Sequence, residues 1–171
     1  MRLLPLMLVT LLGALPLSAA QIAVGLTWIE ADAALLDELN VATGEDPVEQ
    51  VSFATALRIL DRGRVTVLAS AWVEAQDGFE ATYAPPAGST GPQITFRVRP
   101  SLVAGERIDL DGDYSITISS RSPDGKGDAT ATVRGRPRAV LRPGSAQLLT
   151  SGSGAALGTR RVVLVAANLV E

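Results

Sequence analysis

Asp109, Asp111 and Asp113 stand at alternate positions in RIDLDGDYS, a spacing that matches the first three ligand positions of an EF-hand calcium loop. Such a loop also needs glycine at its sixth position and a bidentate glutamate at its twelfth, where this chain has Tyr114 and Ser120. Two arginine clusters answer the aspartates in charge: Arg97 and Arg99 alternate in TFRVRP, and Arg134, Arg136 and Arg138 alternate in TVRGRPR. The chain contains neither His nor Cys, so zinc sites and His-assisted Ser or Cys nucleophiles lack their parts. Carboxylate pairs for glycoside cleavage could be drawn from the 18 acidic residues, but nothing marks a cleft. Gly152-Ser153-Gly154 lacks the third glycine and the strand-to-helix context of a dinucleotide site, and no G-x-S-x-G elbow occurs. The expectation is a protein that is not an enzyme and holds no cofactor or metal.

The elements that would position these charges are strands. If residues 94–116 form a hairpin turning at Ala104-Gly105, Arg99 faces Asp109, Arg97 faces Asp111 and Thr95 faces Asp113. The other parity pairs Val98 with Leu110 and Ile94 with Tyr114, giving one charged face and one core face. Arg97, Arg99, Asp109 and Asp111 are then a structural charge ladder. A slip of one residue would send both arginines into the core, so the ladder also fixes the face. Arg134, Arg136 and Arg138 project from one side of a strand expected over residues 129–141. Pro137 cannot donate to a ladder and marks an edge or a bulge. Two roles stand side by side for these arginines: an edge guarded against aggregation, and a subunit or partner interface.

Along the rest of the chain, Ile22, Val24, Leu26 and Trp28 share one parity of a first strand, Ile22 to Ile29. Asp32 caps a short helix through Leu39. A second helix is expected from an Asp46 N-cap with Pro47 and Glu49 behind it, ending at Gly63 as the left-handed C′ residue. Its apolar face would be Phe53, Ala56, Leu57 and Leu60. Val65 to Val73 reads as a strand, Gln76-Asp77-Gly78 as a hairpin turn, and Phe79 to Tyr83 as the returning strand. Residues 84–93 form a loop, 122–127 a turn, 146–150 a strand and 151–159 a second loop. The closing RRVVLVAANLVE is apolar on both parities and belongs in the middle of a sheet. The fold class is α+β: two short N-terminal helices packed on a mainly antiparallel β-sheet or sandwich.

Arg2, the apolar run Leu3 to Leu17 and Ser18-Ala19-Ala20 have the form of a secretory signal peptide. Residues 1–20 are therefore expected to be a leader, and 21–171 one domain. Charge divides along that domain: residues 21–80 hold eleven acidic and three basic side chains, a net −8, and residues 81–171 hold seven and eleven, a net +4. Two readings of this division stand side by side: two solvated surfaces that meet no partner, and a steering of the front half of one copy onto the back half of another. Nucleic acid is not an expected partner, since the export signal, the acidic total and the few aromatics oppose it.

The order of these elements resembles the secretins, outer-membrane ring proteins of type II and type III secretion and pilus systems. RILDRGRVTVLASAWVEAQDGFEATYAPP resembles their helix leading into a strand that ends at an Asn-Gly or Asp-Gly turn. ITFRVRPSLVAGERIDLDGDYSITIS is similar to the strand reaching a proline and its acidic return, and ATATVRGRPRAVLRPGSAQLLTSG to the arginine-bearing strand. RRVVLVAANLV resembles the closing strand and IAVGLTWIEADAALLDELNV the opening strand and helix. Where the family has a gate hairpin this chain has only residues 84–93, and where it has membrane-embedding elements only residues 151–159. Ala71 or Trp72 stands for its usual proline, and Ala166-Ala167-Asn168 for its Thr-Pro; no ring-building domains precede the β-domain. The resemblance implies a reduced secretin core, exported to the periplasm or outer membrane of a Gram-negative bacterium. It also implies self-association or contact with other secretion or pilus envelope proteins. The alternative is a soluble periplasmic module that docks an envelope partner by strand addition.

Overall fold

The computed structural model describes residues 20–42, 44, 50–87, 91–104, 106–121, 128–153 and 157–170. The expected leader, the Asp46-Pro47 cap and the turn at 122–127 lie outside the described residues. In chain order the elements are β1 (Gln21–Asp32), α1 (Ala33–Ala42), α2 (Phe53–Leu60), β2 (Val65–Gln76), β3 (Ala81–Tyr83), β4 (Gln93–Val103), β5 (Arg107–Arg121), β6 (Asp128–Gly135), β7 (Arg138–Leu141), β8 (Ser145–Ser153) and β9 (Thr159–Val170).

They form two antiparallel sheets. The first has the order β2-β1-β9-β8, and the second β3-β4-β5-β6, with β7 continuing along β5. Ile22, Val24, Leu26 and Trp28 of β1 face the second sheet as their shared parity requires, meeting Phe96 and Val98 of β4 and Leu110, Tyr114 and Ile116 of β5. The opposite face of the first sheet is covered by α1 and α2, through Leu36, Leu39, Ala56, Ile59 and Leu60. β9 lies between β1 and β8, so it is buried on both faces: Val163, Val165 and Ala167 enter the core between the sheets, and Val162, Leu164 and Ala166 the core under the helices. This is the α+β arrangement expected from the sequence, with the helices as a third layer.

Side chains tie the layers together. Arg160 at the start of β9 donates to the carbonyl of Ala33 at 2.9 Å and pairs with Asp37 of α1. Arg161 pairs with Glu30 at 2.8 Å and lies 5.5 Å from the Trp28 ring centroid. Buried Gln50 latches the β7–β8 turn: its Nε2 donates to the Val140 carbonyl at 2.9 Å, and its Oε1 accepts from Ser145 Oγ at 2.9 Å and from the Arg142 amide at 3.3 Å. Trp72 lies directly opposite Gly25 with its indole where a side chain would be; a Cβ on Gly25 would come within 2.5 Å of the ring.

Several expectations change. α2 begins at Phe53, capped by Ser52, whose Oγ accepts the Thr55 amide at 3.2 Å. It ends at Asp61 in the right-handed region, and Gly63, whose amide donates to Leu60 at 3.3 Å, is not among the positive-φ glycines. Its core face is Ala56, Ile59 and Leu60, while Leu57 is exposed. The Asp77-Gly78 turn forms, with Gly78 at φ 77, but it is a corner between sheets and not a hairpin. β3 pairs with β4, not with β2. The corner is hooked onto β4, because the Gly78 amide donates to the Pro100 carbonyl and Asp77 Oδ1 accepts the Leu102 amide, both at 2.8 Å. The strand expected over 129–141 is split at Arg136-Pro137 into β6 and β7, which keep the same register against β5. The loop expected at 151–159 is shorter, since β8 runs to Ser153 and β9 starts at Thr159.

Replacing Gln50 by Ala takes the side-chain partner from the Val140 carbonyl and the Arg142 amide, while Ser145 Oγ keeps the Arg142 carbonyl at 2.6 Å. Denaturant titration should show a loss of about 1–3 kcal/mol, with an unchanged slope.

Candidate functional site

The charged residues singled out by the sequence share the solvent face of the second sheet. Arg97 on β4 donates through Nε and Nη2 to Asp113 Oδ2, at 3.1 and 2.6 Å, with Glu80 at 3.8 Å. The hydrogen bond to Asp113, then the charges of Asp113 and Glu80, raise the Arg97 guanidinium above its ordinary value. Arg99 stands opposite Asp111, and Asp109 opposite Ser101. The expected pairing is therefore displaced by two residues along the strand, as is that of the core parity: Val98 faces Gly112, and Ile94 faces Ile116. The cause is the turn. Val103 pairs with Arg107, so three residues close the hairpin, with Glu106 at φ 55. A displacement of two keeps every side chain on its face, and the arginines stay outside. The three aspartates lie on an extended strand, which does not wrap a cation as a calcium loop does.

Beyond β5 the ladder has a third rail. Arg138 faces Asp111 from β7, and Arg134 faces Ser115 from β6. Among the described residues no carboxylate forms an ion pair with Arg99, Arg134, Arg136, Arg138 or Arg142.

The sandwich has two flanks of opposite character. On one, β2 of the first sheet packs beside β3 and β4 of the second, and this flank carries Glu74, Asp77 and Glu80. On the other, β8 packs beside β7, and this flank carries Arg134, Arg136, Arg138 and Arg142, all exposed. The edges differ too. β4 is closed by β3 over Phe96–Val98 and by the Asp77-Gly78 hooks at Pro100 and Leu102. β2 presents twelve residues without a proline as an open edge of the first sheet. β8 is the other open edge; among the described residues its free side carries one isolated bridge, Ser52 to Ser145. Beside β2 lie Leu57 (48% exposed), Val67 (61%) and Trp72 (45%), the last held edge-on by Phe53 at 5.9 Å. Leu57, Val67 and Phe53, together with Leu60, Val65 and Ile29, border an apolar groove of about 440 Å³.

No family model matches the chain, and no curated protein matches it in sequence. Solved structures do. The type II secretin GspD of enteropathogenic Escherichia coli superimposes on 90% of this chain and 70% of its own, with a TM-score of 0.51 and 10% identity. The secretin in the ETEC pilotin–secretin AspS–GspD complex does so over 90% of this chain and 50% of its own, with a TM-score of 0.52 and 10% identity. The fold is that of a secretin core. On this secretin fold the Arg/Asp rails occupy the second sheet, and the open edges belong to the first. Sequence reasoning had found the arginines and aspartates. It missed Gln50 and the groove, whose partners are far apart in the chain, and it missed the acidic flank. The one signal for the flanks was the −8/+4 charge division, to which Glu74, Asp77 and Glu80 contribute on one side and Arg134, Arg136, Arg138 and Arg142 on the other.

Arg97→Glu places a carboxylate against Asp113 and Glu80 and should lower the melting temperature. Adding Asp113→Arg should recover part of the loss, whereas adding Asp111→Arg should recover less; equal recoveries would contradict the pairing.

Proposed function

We propose that the chain is a secretin-like, non-enzymatic component of a bacterial envelope export or pilus system, exported to the periplasm or outer membrane, whose copies join head to tail into a ring. The observation that carries this reading is the first sheet. Its four strands alternate in direction, so its two open edges, β2 and β8, run opposite ways. β8 of one copy can lie antiparallel beside β2 of the next, and the sheet continues through the joint, interrupted where each strand shifts register, at Leu68 and at Leu149. A heterologous joint of this kind repeats, and it closes when its rotation allows.

The flanks favour the same joint. Apposing β8 to β2 brings the Arg134, Arg136, Arg138 and Arg142 flank to the Glu74, Asp77 and Glu80 flank. Opposite potentials steer the encounter and fix its orientation. The apolar border along β2, with Val67 and Trp72, supplies surface that gains from leaving water. Arg134, Arg136 and Arg138 are then interface residues first and edge guards second. The likeness to secretins supports the placement of this sheet in an envelope assembly.

The test is the mass of the protein by light scattering, taken from periplasmic and detergent-solubilised membrane fractions. A multimer is expected in detergent. Reversing Arg134, Arg136 and Arg138 to Glu should dissolve it with little change in melting temperature, and adding Glu74→Arg and Glu80→Arg should restore it. A single-chain mass from both fractions would instead make this a module that docks an envelope partner by strand addition.

A further inference from the structure

The residues at one end of the first sheet are level with one another across all four strands. Val65 pairs with Ala31, Ala31 with Arg160, and Arg160 with Ser153. Leu157, in the connection between β8 and β9, belongs to that same end, and its side chain is fully exposed. The apolar groove opens at this end too, since Val65, Val67 and Gly63 line it alongside Phe53, Leu57 and Leu60. A fully exposed leucine and an unfilled apolar groove thus sit at one level, on opposite edges of one sheet.

The other end has its own match. Glu74 pairs with Ala23 and Ala23 with Asn168, while Ser145 pairs with Ala167. Ser145 is thus one position from the Glu74 level, and Arg142 stands just beyond that end, in the turn that leads into β8. Setting β8 beside β2 without sliding brings the Leu157 end to the groove end and the Arg142 end to the Glu74 end at once. A one-residue slide would turn the side chains of the joining strand to the wrong faces.

We infer that the groove between α2 and β2 is a socket for Leu157 of the adjacent copy, locking the register of the β2–β8 joint. The inference rests on the head-to-tail assembly proposed above and names its contact. The partner is a second copy of this chain, because the groove accepts an apolar knob and the same sheet carries one at the matching height. The lining of the groove is mainly apolar, with Thr27, Arg58 and Asp61 as its polar members. Leu157 of the neighbour supplies the apolar side chain that enters it.

The chain has no cysteine, so engineered thiols report without background. Leu57→Cys and Leu157→Cys are made on separate full-length chains, mixed, assembled and oxidised, with the assembled mass measured before oxidation. The expected result is a disulfide-linked pair of chains from the mixture and none from either variant alone. A multimeric mass with no linked pair overturns the socket and leaves the assembly standing. A single-chain mass overturns both. In a second variant, Leu157→Asp should raise the protein concentration needed for assembly by about tenfold or more, the factor expected from withdrawing one buried leucine. An unchanged threshold would also overturn the socket. Both substituted positions are exposed within the single chain, so its melting temperature should hold in every variant.

Discussion

The first strand of this protein pairs along its whole length with the last, from Gln21 opposite Val170 to Asp32 opposite Thr159. Every layer hangs on that ladder. Because β1 and β9 occupy the middle of the first sheet, both need apolar side chains on two faces, and each feeds two cores at once. The helices find their floor on residues that include Ile29, Val162 and Leu164, and the second sheet packs against the opposite face, which includes Val24, Leu26 and Val165. The arginines that begin β9 complete the arrangement by anchoring α1 and pairing Glu30 at the rim. A change in β1–β9 register of one residue would exchange the two cores and satisfy neither.

Features with a local cause were legible in the sequence. The double-sided apolar run of β9, the parity of Ile22 to Trp28 and the outward arginines each state a face, and a face follows from alternation alone. Slides and partners were not legible. The β4–β5 offset depends on a three-residue turn with Glu106 in the left-handed region, a conformation that glycine or asparagine would have advertised and glutamate does not. The Asp-Gly turn was recognisable, but its destination was set by hooks to Pro100 and Leu102, more than twenty residues onward. The sequence signal for the start of α2 pointed to Asp46, whereas Ser52 caps the helix that aims Ala56, Ile59 and Leu60 at the sheet. Gln50 depends on Val140, Arg142 and Ser145, some ninety residues onward, which no local window contains.

The two sheets treat their edges differently. The second is closed on its β4 side by β3 and the corner, and its β6–β7 side is interrupted by Pro137 among arginines. The first keeps both edges open, with an apolar border on one of them. Edge protection is a general need of β-proteins, so its presence on one sheet and absence on the other assigns different roles to the two. Charge follows the same division: the rails of the second sheet are internally balanced where Arg97 meets Asp113, while the surplus lies on the flanks.

The end-to-end pairing of β1 with β9 also has a consequence in time. A chain delivered N-terminus first, from a ribosome or through a membrane pore, exposes β1 some 130 residues before its principal partner arrives, a separation that slows folding in proportion to its share of the contacts. Until then β1 has only β2, and a two-stranded ribbon is marginal in water. The second sheet, whose strands are neighbours in the chain, has no such wait. The first sheet is thus the last to close, and it closes only when the twelve-residue strand β9 has emerged.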